Sequence, residues 1–231
     1  MPAPITVIVP TLNAAHLLGE TTDALLPGLT DGLITELILT DGGSNDDIQT
    51  VAKELGARLV TGTPGRGAQL ARGIEAARSP WLLLLHADTH LSDDWAKAAV
   101  HHMNTAPDKA GHFRLAFRAS GGWPRITAAG ANLRSRLFGL PYGDQGLLIQ
   151  QSTLSQIGGM PSLPLMEDVA LARRLKGRLI QLNATAYTSA ERYIQDGWLA
   201  RTTANLGTLA RYLAGQDPEQ LIARYRGKTH K

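Results

Sequence analysis

The 231-residue chain contains no cysteine, which excludes a disulfide framework, a thiolate nucleophile and any zinc site built on sulfur. Strong metal ligation is left to aspartate, glutamate and histidine, a donor set that suits a hard or borderline cation bound through oxygen. Long apolar runs are missing too: a run such as Trp81 to Leu85 falls well short of the roughly 20 residues that a spanning helix needs. The start, Met1-Pro2-Ala3-Pro4, has neither a charged n-region nor an apolar h-region, so no signal peptide is expected and the cytoplasm is the default location. Internal repeats and low-complexity linkers are absent. Charge of one sign is scarce, with 23 Lys and Arg against 20 Asp and Glu for a formal net charge of +3. That mild basic excess suits phosphate-bearing ligands or an anionic membrane face equally well.

What is present is enough apolar material, 43% of residues, to bury one proper core. Short aliphatic runs at Ile5 to Val9, Glu36 to Thr40, Arg58 to Thr61 and Trp81 to His86 read as strands. They alternate with apolar residues at helical spacing over Ala15 to Leu26, Asp47 to Leu55, Ala68 to Ala77 and Asp93 to Thr105. This βαβ alternation predicts crossover units feeding a mostly parallel sheet, an α/β fold. From Gly111 the pattern changes. Phe113, Leu115 and Phe117 repeat every second residue, and Gly121-Gly122-Trp123-Pro124 then breaks the strand. A helix over Ile126 to Phe138, a strand over Gly146 to Gln150, a helix opening near Glu167 and a strand over Arg178 to Leu182 are expected to follow. The tail from Trp198 to Leu213 carries Leu199, Leu206, Leu209 and Leu213 on a helical repeat. Such a stripe serves core packing or, with Arg201, Arg211, Arg224 and Arg226 nearby, peripheral attachment to anionic lipid.

In open α/β sheets ligands sit beyond the carboxyl ends of the strands, and four such junctions here are polar. They are Pro10-Thr11-Leu12-Asn13, Asp41-Gly42-Gly43-Ser44-Asn45-Asp46, Gly65-Arg66-Gly67 and His86-Ala87-Asp88-Thr89. Each also has a plainer role open to it: Ser44 or Asp46 capping the next helix, a glycine turn, Asp88 capping a helix. A strongly apolar strand that delivers a histidine and an aspartate to its end is the hardest to explain that way. Neighbouring histidines His101-His102 do not share a helix face well enough to chelate and are expected to be solvated.

Together these junctions resemble the family-2 glycosyltransferases of the GT-A fold. The marks are a strand followed by Pro-Thr-x-Asn, an Asp-x-Gly-Ser-x-Asp turn, an acidic metal motif after the fourth strand and a later Glu-Asp pair. The likeness is strongest to a small bacterial subgroup whose metal motif reads His-Ala-Asp-Thr, with counterparts of Tyr142-Gly143-Asp144-Gln145 and Pro164-Leu165-Met166-Glu167-Asp168. The resemblance implies a single domain over 1–231, with a nucleotide-sugar donor half (1–110), an acceptor half (111–195) and a helical tail (196–231). It implies that Pro10, Thr11 and Asn13 line the base and ribose pocket, that Asp41 accepts a hydrogen bond from the base, and that Arg66 reaches base or diphosphate. Asp88 would hold a divalent cation, Mn or Mg, bridging the donor phosphates, and His86 would either join it as a ligand or contact ribose. Two departures stand out: Ala14 replaces the usual Glu after the first motif, and His86-Ala87-Asp88 replaces Asp-x-Asp, removing one negative charge beside the metal.

Departure of a nucleoside diphosphate builds negative charge that a cation and Arg66 can stabilise, while a carboxylate must take the acceptor proton. Asp168, beside Glu167, stands where the family places that base, and the resemblance implies inversion in one displacement; a helix N-terminus would attract the same two acids. Asp144 and Gln145 are expected to contact donor sugar or acceptor, unless they form a plain turn, and Arg192 to approach the diphosphate. The reading is therefore a metal-dependent transferase using a nucleoside-diphosphate sugar, UDP above all, with a lipid, glycan or small-metabolite acceptor and no nucleic-acid partner. The alternatives are a non-catalytic nucleotide-sugar-binding module, which the altered metal motif favours, and a sugar-nucleotide pyrophosphorylase, which lacks its Gly-rich basic loop here. A dinucleotide oxidoreductase is a poor reading, because Pro10-Thr11-Leu12-Asn13 stands where Gly-x-Gly-x-x-Gly is needed.

Overall fold

The computed structural model describes residues 4–227, and their side chains as far as residue 222. The chain runs β1 (Ile5–Thr11), α1 (Ala15–Asp23), α2 (Leu26–Thr30), β2 (Ile34–Asp41), α3 (Ile48–Glu54), β3 (Arg58–Thr61), α4 (Arg66–Ala76), β4 (Trp81–Leu84), β5 (Thr89–Leu91) and α5 (Trp95–Thr105). It continues with β6 (Ala110–Phe117), α6 (Gly122–Phe138), a single 3-10 turn (Gly143–Gln145), β7 (Leu147–Gln150), α7 (Gln151–Gln156), α8 (Glu167–Arg174) and β8 (Leu179–Thr188). Three helices follow among the described residues: α9 (Glu191–Asp196), α10 (Trp198–Leu213) and α11 (Pro218–Gly227).

The eight strands among the described residues share one sheet in the order β3-β2-β1-β4-β7-β6-β8-β5. Strands β3, β2, β1 and β4 are parallel, β7 runs against both β4 and β6, and β8 is parallel to β6. The expected α/β class, mostly parallel sheet and helical tail are thus all present. The centre of the sheet is dictated by sequence: Ile5, Val7, Ile8, Val9, Leu82 and Leu83 are fully buried, and strands apolar at successive positions must be covered on both faces. One face packs Val7, Val9 and Leu83 under Leu18, Ile48, Trp95 and Ala99. The other packs Ile8, Leu82 and Leu84 under Leu70, Leu171 and Leu175. Connections from β1 lead outward to β2 and β3, then jump back to β4 on its other side. The crevice at that reversal, beyond the ends of β1 and β4, is where such sheets bind ligands.

Several boundaries differ from those expected. The helix anticipated over Ala15 to Leu26 is two, because Pro27 starts a new first turn and Gly28 lies so close to Trp95 that a Cβ there would stand 2.2 Å from its ring. Gly121 to Pro124 opens α6 instead of merely ending a strand, since proline is tolerated in a helix's first turn, where its missing N–H has no intrahelical partner. Strand β8 extends to Thr188 because Ala184 and Ala186 continue the buried alternation with side chains too small to register as a strand signal. His102, expected to be solvated, is buried edge-on against Trp81, its Nε2 3.0 Å from the Lys109 carbonyl oxygen. Core packing holds for only one leucine of the tail stripe, Leu209; Leu199, Leu206 and Leu213 are exposed. The side chains of Arg224 and Arg226 lie outside the described residues.

Candidate active site

The turns after β1 and β2 are locked together by their own polar side chains. Asn13 sits at φ 52°, a left-handed conformation that asparagine tolerates better than most residues. Its Oδ1 accepts from the Asn45 N–H at 2.8 Å, while its own N–H donates to Ser44 Oγ at 2.8 Å. Asp46 accepts the Ala15 N–H at 2.8 Å, so it caps α1 across the crevice; neither it nor Ser44 caps α3. Asp41 is buried and takes donors on both oxygens, from Gly43 N, Ser44 N, Ser44 Oγ and Thr11 Oγ1. Burial alone would raise its carboxyl, yet those donors outweigh it and hold the group below the usual aspartate value. Asp41 and Thr11 are therefore organisers of the turn first, and any base contact has to share oxygens already engaged.

Two residues outside every motif complete this wall. Gln69 on α4 is buried, and its Nε2 donates to the carbonyl oxygens of Thr11 and Thr40, both at 2.7 Å. Arg72, one turn on, donates to the Asp41 and Thr63 carbonyls at 3.2 and 3.0 Å. Both lie on one face of the helix that Gly65-Arg66-Gly67 opens, and only their shared spacing hinted at a role. Replacing Gln69 with leucine removes two buried hydrogen bonds, worth about 0.5–1.5 kcal/mol each, while the Thr11 carbonyl keeps the Gly42 N–H. Urea denaturation is expected to show a loss of roughly 1–3 kcal/mol.

At the exit of β4 the turn His86 to Thr89 is closed by the Thr89 N–H on the His86 carbonyl. The Thr21 hydroxyl holds the Ala87 carbonyl and Arg118 reaches that of Asp88. Asp88 itself is half-buried, and its carboxylate forms no hydrogen bond or ion pair with any described residue. His86 differs. Burial, assisted by the positive charges of Arg66 and Arg192, drives its pKa well below the ordinary value, so its ring is neutral. Its Nε2 has no hydrogen-bond partner and faces Gly143 so closely that a Cβ there would lie 2.4 Å away.

The 141–146 loop forms the opposite lip. Gln145 is fully buried and consumed internally: Nε2 donates to the Phe113 carbonyl at 3.1 Å, and Oε1 accepts from Ser135 Oγ and the Tyr142 N–H. The expectation that it touches a ligand is corrected to one of fastening the loop. Asp144 remains half-buried with Oδ1 unpartnered. Burial pushes its carboxyl up to about 6; Arg134 opposes this, Asp168 and Asp88 reinforce it, and Arg66 opposes it. The Arg134 guanidinium also lies 3.4 Å from the Tyr142 ring centroid and donates to the Leu140 carbonyl.

Helix α8 presents Glu167 and Asp168 from its first turn. Asp168 Oδ2 accepts the Gly143 N–H at 2.9 Å and Oδ1 the Val169 N–H at 2.8 Å, which ties the helix to the loop. Glu167 is buried, with Oε1 3.4 Å from the Arg66 guanidinium. Burial and the Asp168 charge raise its carboxyl to about 7 despite Arg66. Below the unfolded value of 4.5 the group is neutral in both states. Between 4.5 and 7 the unfolded chain ionises while the fold keeps its proton, so stability falls as pH rises through this window, by up to about 3 kcal/mol. Glu167→Gln should therefore gain melting temperature on the parent at pH 8 relative to pH 4, read by parallel thermal melts.

Asp88, Asp168, Arg66 and Arg134 thus all lie within electrostatic reach of Asp144, with Arg66 and Arg192 of α9 close enough to act on His86. Among the described residues no three His, Asp or Glu side chains lie close enough to hold a metal ion by themselves. A cation at Asp88 would need phosphate oxygens and water for its remaining positions, a mode in which Mg2+ is commonly held. The unengaged carboxylate fits that role. The closed-off Nε2 of His86 does not.

A family model described as "Glycosyl transferase family 2" matches residues 6–160. The glucosyl-3-phosphoglycerate synthase of Mycolicibacterium paratuberculosis (strain ATCC BAA-968 / K-10) is 34% identical over 93 residues, covering 36% of this chain and 28% of that protein. A PGL/p-HBAD biosynthesis glycosyltransferase of Mycobacterium bovis (strain BCG / Pasteur 1173P2) is 35% identical over 116 residues, 43% of this chain and 42% of its own length. The chain therefore spans less than half the length of these curated relatives. In three dimensions it is similar to the crystal structure of glucosyl-3-phosphoglycerate synthase from Mycobacterium tuberculosis in complex with Mn2+, UDP and glucosyl-3-phosphoglycerate. That match has a TM-score of 0.57 at 22% identity and covers 80% of this chain and 70% of the other, a likeness of fold.

Proposed function

The chain belongs to glycosyl transferase family 2, and on that premise we propose that it is a cation-dependent enzyme moving a sugar from a uridine-diphosphate donor to an acceptor hydroxyl. The observation that carries the reading is the unengaged Asp88 carboxylate at the sheet's reversal point, within electrostatic reach of Asp144, a group on which Arg66 and Asp168 also act. The locked turns after β1 and β2 supply a preformed wall for the nucleoside, with Pro10 and Asn13 at its rim. Arg66, on the first turn of α4, faces the diphosphate and draws off charge as the donor bond breaks. A bound Mn or Mg ion supplies Lewis-acid stabilisation of the leaving diphosphate.

Asp168 takes the proton of the acceptor hydroxyl as that oxygen bonds to the anomeric carbon and the sugar–phosphate bond breaks, releasing UDP with inversion. Its two backbone donors fix the carboxylate while leaving lone pairs on both oxygens. Arg134, over Tyr142, fixes the loop that carries Asp144. Titration calorimetry with UDP in the presence of Mn, Mg or chelator tests the reading, followed by UDP release from a panel of UDP-sugars. The acceptor screen starts from phosphoglycerate, whose glucosylated form accompanies UDP in the M. tuberculosis crystal. Cation-dependent UDP binding and turnover of one sugar are expected; no UDP binding with Mn at millimolar nucleotide refutes the assignment.

A further inference from the structure

Helix α6 has two apolar faces, and the fold uses one. Pro124, Ala128 and Ser135 point into the molecule and are buried. Trp123, Ile126, Leu133, Leu137 and Phe138 are each more than half exposed. With Gly130, positions 123, 126, 133 and 137 follow alternating steps of three and four, which places them along one stripe of a helix. An exposed apolar stripe of this length on a polar protein marks something that covers it.

The charges on the helix say what. Between Gly122 and Phe138 there are three arginines and no acid; neighbouring α10, with Leu199, Leu206 and Leu213 exposed, has no acid and two arginines, of which Arg201 pairs with Asp196 of α9. Arg134 is engaged with Tyr142, whereas Arg125 and Arg136 flank the α6 stripe in solvent. A second copy docked about a twofold axis would bring this patch onto itself, setting arginine against arginine with no acid on α6 to pair it. An anionic bilayer answers both features, since tryptophan, phenylalanine and leucine enter the acyl boundary while arginine meets the headgroups. No described helix is long and apolar enough to cross a membrane, which limits this contact to the surface.

We propose that the outer face of α6 rests on an anionic lipid surface. Through Gly139 and Leu140 the helix leads directly into the loop bearing Asp144, so docking would set the mouth of the crevice beside the bilayer. The full chain is mixed with phosphatidylcholine vesicles with and without phosphatidylglycerol, at low and high salt, and sedimented. Binding is expected only with phosphatidylglycerol, weakening with salt. The pair Leu133→Asp and Leu137→Asp should lower partitioning at least about tenfold, since two leucines lose their burial. Leu29→Asp, at an exposed leucine of α2, should leave it within about twofold. Absence of binding to phosphatidylglycerol at low salt overturns the proposal, as does equal loss in both variants. Sedimentation velocity showing a dimer that the α6 variant dissociates, without vesicle binding, assigns the face to a second copy instead.

Discussion

Asp88→Ala is expected to abolish cation-dependent UDP binding and to lower transfer by about three orders of magnitude or more, the equivalent of roughly 4 kcal/mol of transition-state stabilisation. The protein should nonetheless fold normally. Its carboxylate has no internal partner to lose, and the backbone of the turn is held by Thr21, Arg118 and the Thr89 N–H. Removing one negative charge near Asp144 also relieves a repulsion, so the melting temperature should stay level or rise slightly. Those two readouts together separate a ligand from a structural residue. With no three acidic or imidazole groups converging among the described residues, Asp88 has no understudy on the protein side. The test is calorimetry of UDP with Mn and with chelator, run on parent and variant. Equal affinity in all four arms would remove the cation from Asp88 and, with it, the reason for the family's acidic motif at this strand end.

The centre of the fold was legible because β1 and β4 announce themselves as unbroken apolar runs, and the crevice because each run ends abruptly in polar residues. The wall of the crevice was less so. Gln69 and Arg72 belong to a helix whose pattern reads only as amphipathic, and their partners are main-chain carbonyls, which no side-chain motif advertises. Asp46 looked like a cap for its own helix and caps another, since a cap's partner is set by how two loops meet in space. Gln145 sat in a motif and proved to be a fastener, while its neighbour Asp144 kept an unpartnered oxygen; adjacent positions in a 3-10 turn point apart. Burial of His102 depended on Trp81, a contact between a helix and a distant strand. What sequence conveyed was which segments meet solvent or core. Which polar atoms remain uncommitted was decided only once the loops had paired.

Asp168→Asn should cost turnover about 100-fold or more, the scale of a positioned general base, while UDP affinity changes by no more than about twofold. The substitution is isosteric, and its single carbonyl can still accept the Gly143 N–H, so the link between α8 and the loop survives. The amide then faces the Val169 N–H with a donor, a mismatch worth about 1–3 kcal/mol of stability, too little to unfold the chain or move the distant nucleoside turns. Single-turnover rates alongside calorimetric affinities separate chemistry from binding. Turnover within about threefold of the parent would pass the role to Asp144, whose carboxyl near pH 6 ionises within the assay range. Activity would then fall as pH drops through 6, where Asp144 gains its proton, and Asp144→Asn would abolish that limb along with the rate. Both variants near parental activity would leave Glu167 as the remaining carboxylate on this lip, a group buried against Arg66 whose ionisation near pH 7 would then set the acid limb of the activity profile.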